Sequence, residues 1–132
     1  MTKFSANLGF LWSELALPDA IYKAKEAGFD AVECHWPYEY APTKIKTALS
    51  ETGLSMLSLN TTRGNVGAGD NGLAALVGRE HEARHAIDEA IAYADEIDAN
   101  AIHVMAGCAR GEQAHDCFLK NLEYASSNTS RT

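Results

Sequence analysis

Four times along the chain, a short segment with the character of a strand is followed by a segment with the 3.6-residue period of a helix. Residues 4–11, 30–36, 54–60 and 101–106 are the strand segments. Residues 17–28, 42–52, 79–97 and 111–125 are the helices. Pro18 suits a first helical turn, and Gly28 and Gly53 suit C-terminal caps. Ile21, Ala24 and Ala27 share one face of the first helix, and Ile45, Ala48 and Leu49 one face of the second. The third helix carries Ala83, Ile87, Ala90, Ile91 and Ala94, and the fourth carries Ala114, Phe118, Leu122 and Ala125. Strict strand–helix alternation predicts an α/β fold with a parallel sheet and right-handed crossovers. Eight such units close a TIM (β/α)8 barrel of about 250 residues. Four units predict a parallel (βα)4 half of one.

At 132 residues the chain is sized for one domain, read as a half-barrel over 1–125 and a polar tail over 126–132. Lys plus Arg is 11 and Asp plus Glu is 18, a net charge of −7. That balance argues against nucleic acid or an anionic membrane as partner, since both select basic faces. No apolar run approaches the ~20 residues of a membrane span. Met1-Thr2-Lys3-Phe4 lacks the apolar stretch of a signal peptide. Cys34, Cys108 and Cys117 are odd in number and without CxxC spacing. A reducing, cytoplasmic setting is expected.

Active sites of parallel α/β folds gather at the C-terminal ends of the strands. The polar residues there are Asn7, Glu33, His35, Asn60 and His103. Glu33 and His35 are two apart and so share a face of their strand. A carboxylate beside an imidazole suits a base or a substrate clamp, or else a structural pair at a strand end. His103 reads equally as a ligand contact or a satisfied core histidine, and Asn7 and Asn60 equally as ligand contacts or backbone caps.

Between the third strand and third helix lies a loop with Gly64, Gly67, Gly69, Gly72 and Gly78. Loops of this length inside a compact domain are usually functional. Gly67-Ala-Gly-Asp-Asn-Gly72 matches GxGxxG literally, but it neither follows its strand directly nor opens the next helix, as a dinucleotide site requires. His81-Glu82-Ala83-Arg84-His85 matches HExxH literally. Its surroundings (Arg79, Glu80, Arg84, Asp88 and Glu89) read as a solvated helix face, and no third ligand follows.

Several stretches together resemble the hydroxypyruvate isomerase family of the xylose-isomerase-like TIM barrels. They are Phe4-Ser-Ala-Asn-Leu8, Ala27-Gly-Phe-Asp-Ala-Val-Glu33, Pro37-Tyr38, Leu59-Asn-Thr61, Gly69-Asp-Asn-Gly-Leu-Ala-Ala75, Gly78-Arg-Glu-His-Glu-Ala83 and His103-Val-Met-Ala-Gly107. The resemblance covers about residues 3–125 in order. It implies interconversion of hydroxypyruvate and tartronate semialdehyde through an enediolate, with a related 2-oxo-tetronate activity as an alternative. It also implies a divalent metal, Mg2+ or Mn2+, for the full-length family. The family's catalytic glutamates and metal ligands lie on its later strands and have no matching positions here. No catalytic or metal-binding residue is therefore carried over, no cofactor is assigned to this chain, and little activity is expected of it alone.

What carries over is a substrate side: Asn7, Glu33, His35, Asn60 and His103, with Arg79, Glu80 and His81 shaping the loop at the mouth. A small hydroxy-carbonyl acid or sugar is the implied partner. The open strand edges of a half-barrel predict a homo-oligomer. The competing reading is a non-catalytic module that binds a hydroxy acid or self-assembles.

Overall fold

A computed structural model describes residues 1–129. Its strands are β1 (Ser5–Asn7), β2 (Ala31–Glu33), β3 (Ser55–Met56), β4 (Ser58–Asn60) and β5 (Ala101–His103). Its α-helices are α1 (Leu17–Glu26), α2 (Pro42–Thr52), α3 (Glu80–Ile97) and α4 (Glu112–Ser127). The expected alternation is present. One 3-10 turn, Val66–Ala68, interrupts the glycine-rich loop. Helix α4 runs through Ser127, into the segment expected as tail, and residues 130–132 lie outside the described residues. The chain divides into two compact units: Met1–Asn60 with Tyr93–Ile102, and Thr61–Ala92 with the described residues from His103.

In the first unit β1, β2 and β3 form a parallel sheet in that order, with Ala6 level with Val32 and Val32 level with Met56. These three side chains are buried, as are Ile21 and Ala24 of α1 and Ile45 and Ala48 of α2. Each helix begins with a proline in its first turn, where the missing N–H has no intrahelical partner to lose. Gly53 closes α2 at φ +72°, in the left-handed region that glycine enters without a Cβ clash.

The segment expected as one strand over 54–60 is two, β3 and β4, and the reason is a one-residue offset. Val32 is level with Met56, and the Leu57 N–H donates to the Val32 C=O at 2.8 Å. An unbroken parallel ladder would next join the Cys34 N–H to the Leu57 C=O. The Cys34 N–H donates instead to the Ser58 C=O at 3.1 Å. One extra residue has been taken into the strand, as in a β-bulge. Met56 and Leu59, three apart, are thereby both buried with Val32 and Cys34. Ser58 turns to the opposite face, where Glu33 stands. Beyond the offset, β4 pairs with β5.

In the second unit the glycine-rich loop is fastened to the segment after β5. Gly72 and Ala106 form an antiparallel bridge. The Leu73 and Ala74 N–H groups donate to the Met105 C=O, and the Ala75 N–H to the Ala106 C=O. Leu73, Ala83 and Ala86 form a small buried cluster against Leu76. On α4 the buried positions are Ala114, Cys117 and Asn121. The expected stripe through Phe118, Leu122 and Ala125 is only half-buried, and Leu119 is 45% exposed.

Candidate functional site

Glu33 closes β2 on the face opposite the buried Val32 and Cys34. Its two carboxylate oxygens accept hydrogen bonds from serines on the flanking strands. The Ser5 hydroxyl donates to Oε2 at 3.2 Å and the Ser58 hydroxyl to Oε1 at 3.3 Å. Ser5 and Ser58 escape detection in the sequence because small hydroxyl residues fit almost any position. Ser58 reaches Glu33 only because of the offset after Met56. The carboxylate is half-buried, fixed from both sides, and retains further acceptor capacity.

The other candidates of this unit are distributed around it. Asn7 is level with Glu33, and its Oδ1 accepts the Gly9 N–H at 2.9 Å, forming a turn at the end of β1. Half-burial at Ala31, Glu33 and His35 alternates with burial at Val32 and Cys34, so Glu33 and His35 share a side as expected. Their contacts nonetheless diverge, because the His35 ring lies against Gly9 and meets Phe10 edge-on at 4.9 Å and Trp36 at 5.1 Å. A Cβ on Gly9 would lie 2.2 Å from two atoms of that ring. At Asn60 the backbone is engaged: its N–H donates to the His35 C=O at 2.8 Å, and its C=O accepts the Tyr38 hydroxyl. A cavity of about 260 Å³ lies beside His35 and is lined also by Gly9, Cys34, Trp36 and Glu39. Burial pushes the Cys34 thiol up to about 12, so it stays protonated and is no nucleophile.

In the second unit the residues expected at the mouth are engaged within the loop. The Arg79 guanidinium holds Asp70 through both carboxylate oxygens, at 2.7 and 2.8 Å, and Glu82 at 2.8 and 2.9 Å. Asp70 also accepts the Asn65 N–H at 2.8 Å. Arg79 is thus a clamp joining the loop to the start of α3. Arg79 and then the Asn65 N–H hold the Asp70 carboxyl down at about 2. Glu80 accepts the Gly78 N–H at 3.1 Å, and its carboxyl is lowered chiefly by backbone N–H groups at the helix start. His81 is exposed on α3. His103 is exposed at the end of β5, where its C=O accepts the Thr61 N–H at 3.0 Å.

A lowered folded-state carboxyl stabilises above its unfolded value, ~3.9, and the contribution is lost as pH falls through about 2. The difference in Tm between the wild type and Asp70→Asn is therefore expected to shrink from pH 5 to pH 2. A difference constant over that range would show that the clamp does not depend on this charge.

The HExxH pattern does not assemble a metal centre. Its glutamate, Glu82, is taken by Arg79. Among the described residues no three His, Cys, Asp or Glu side chains converge as metal ligands. The residues present therefore do not fit the divalent metal implied by the resemblance, and no step here is derived through one.

Comparison with known proteins adds four findings. A family model described as xylose isomerase-like TIM barrel matches residues 21–129. A putative hydroxypyruvate isomerase of Danio rerio is 43% identical, over 93% of this chain and 48% of its own length. A 2-oxo-tetronate isomerase of Haemophilus influenzae is 36% identical, over 96% of this chain and 50% of its own. Among solved structures, a chain from Brucella melitensis described as a family 2 AP endonuclease superposes with a TM-score of 0.90 at 32% identity. That match covers 98% of this chain and 52% of the other. The chain spans about half the length of the curated relatives it matches.

Proposed function

The chain belongs to the xylose isomerase-like TIM barrel family, and from that premise we propose that it forms the substrate-binding half of an isomerase site for a small hydroxy-carbonyl acid. The substrate pair favoured is hydroxypyruvate and tartronate semialdehyde, after the named relatives. The observation that carries this reading is the Glu33 carboxylate, held by Ser5 and Ser58 at the end of β2 on the face away from the buried core.

Such an isomerisation moves one proton between adjacent carbons through an enediolate, and the substrate's hydroxyls must be fixed while it does so. An ionised carboxylate accepts hydrogen bonds only. With one bond to each oxygen already made by a serine, Glu33 is oriented before substrate arrives, and its free lone pairs take substrate hydroxyl protons. The divalent metal that the full-length family implies would polarise the carbonyl. It remains outside what these residues hold. We propose accordingly that this chain alone binds and orients but does not turn over. Free thiols at Cys34, Cys108 and Cys117 support a reducing, cytoplasmic setting.

The test is a melting experiment with tartronate, a stable hydroxy-diacid, as probe. At a hundredfold excess over Kd a ligand stabilises by about 2.7 kcal/mol, roughly 10 °C in Tm for a chain of this size. The shift is expected in the wild type and absent in Glu33→Gln, which keeps the shape and loses the charge. An equal shift in both proteins would remove Glu33 from the site. Turnover of hydroxypyruvate by the chain with added Mg2+ or Mn2+ would overturn the inactivity.

We propose further that the working form is a homo-oligomer, because β1 and β5 each have a single neighbour in the described sheets.

A further inference from the structure

We infer that the cavity beside His35 is a binding site for a small organic cation, an ammonium group on an apolar body, separate from the hydroxy-acid site at Glu33. The cavity has a volume of about 260 Å³ and lies between the segment after β1, the start of α1 and the segment after β2. Every residue that lines it belongs to the first unit, so its walls are complete within that unit. A cavity of about 150 Å³ is enough to hold benzene. This one has room for a ring with a short charged arm.

Burial grades from floor to rim. Leu8, Ala20 and Cys34 are buried, Leu15 and Leu17 are half-buried, and Ser13 and Glu39 are exposed. An apolar body therefore enters and a polar head stays at the opening. The Cys34 thiol is 4% exposed, lines the cavity, and has no hydrogen-bond partner among the described residues. A protonated thiol is a soft, polarisable contact, and sulfur packs favourably against an aromatic ring.

The sign of the charge follows from the opening. The Glu39 carboxylate has no ion pair among the described residues. Among those residues no lysine or arginine lines the cavity. The rings of His35, Trp36 and Tyr40 complete the wall. Electron-rich ring faces attract a cation, and a carboxylate accepts charge-assisted hydrogen bonds from an ammonium. The same set offers nothing to an anion such as a hydroxy acid.

Two of these rings are held in place without any ligand. His35 lies against Gly9 and meets Phe10 and Trp36. Tyr40 is held by its backbone: its N–H donates to the Pro37 C=O and its C=O accepts the Tyr93 hydroxyl, both at 2.9 Å. A preformed wall lowers the ordering cost of binding.

The probe is phenethylammonium, with phenethyl alcohol and phenylacetate as its neutral and anionic counterparts, followed by the amide and imidazole resonances of the chain. The ammonium is expected to give saturable shifts at the Ser13, Cys34 and Glu39 amides and at the His35 ring, while the His81 and His85 rings stay in place. Phenylacetate is expected to give none. The alcohol is expected to bind about tenfold more weakly than the ammonium, the loss of one charge-assisted bond. Glu39→Gln is expected to weaken the ammonium by a similar factor, and because Glu39 is exposed the variant keeps the fold. No saturable shift at these residues would overturn the site. Phenylacetate or the alcohol binding as tightly as the ammonium, or undiminished ammonium binding by Glu39→Gln, would overturn its preference for a cation. A chain that takes up phenethylammonium but not tartronate would count against the proposed function alone, and the reverse against this inference alone.

Discussion

Gly107→Ala is expected to destabilise the chain by about 3 kcal/mol, a large share of the ~5–15 kcal/mol that holds a domain of ordinary stability. Gly107 lies at φ +89°, where a Cβ is strained, and that Cβ would stand 2.4 Å from the Gly72 carbonyl oxygen. The obstacle is backbone and cannot rotate aside. It belongs to the bridge through which the loop is fastened to residues 105–106. Gly78→Ala separates the two causes. Gly78 has φ +87°, but nothing lies within 4 Å of its added Cβ. It is expected to show the conformational cost alone, about 1 kcal/mol. Urea midpoints give both numbers, and amide exchange at Leu73, Ala74 and Ala75 locates the damage. Equal losses in the two variants would mean that the close approach to Gly72 carries no energy.

Gly9→Ala is expected to act on the site more than on the fold. Gly9 is outside the left-handed region, so its backbone accepts alanine without strain. The new Cβ instead overlaps the His35 ring at 2.2 Å. A side chain can swing away, and His35 is expected to leave its edge-on contact with Phe10 and enter or vacate the cavity beside Trp36. The cost is a displaced rotamer and a lost ring contact, about 1–2 kcal/mol. The His35 imidazole resonances should shift strongly while those of His81 and His85, on α3, stay in place. An unmoved His35 spectrum would contradict the packing described.

The alternation of strand and helix segments was legible because each signal is local. A proline opens α1 and α2, Gly53 caps α2, and buried residues recur at helical spacing. The division of the third strand was not, although its trace is present. Met56 and Leu59 are both apolar, and three is the wrong spacing for one face of a regular strand. Only the hydrogen bond from Cys34 to Ser58 shows which residue is extra. The buried face of α4 was also misjudged. Its polar member, Asn121, is fully buried with its Nδ2 on the Ala74 C=O, at 2.7 Å, a bond across 47 residues.

The site was legible in part for a related reason. Glu33 stands out as an acid at a strand end, but the hydroxyls that orient it sit 28 and 25 residues away on neighbouring strands. Arg79 was expected only as a residue shaping the loop at the mouth, with no partner named for its charge. Asp70, nine residues earlier, already occupies it. Spacing along the chain cannot reveal that pairing, because the loop between them must first be folded.

The extra residue between β2-paired Met56 and buried Leu59 also governs which genetic changes this segment can absorb. Substitutions there alter one side chain and leave its neighbours where they are. Loss of a single codon at Leu57 would restore a regular ladder and keep inside and outside as they are: Ser58 would be level with Glu33, and Leu59 with Cys34. Loss of this one residue is therefore open to the segment, whereas an unbulged strand of the present length, which would level Ser58 with Cys34, is closed to it.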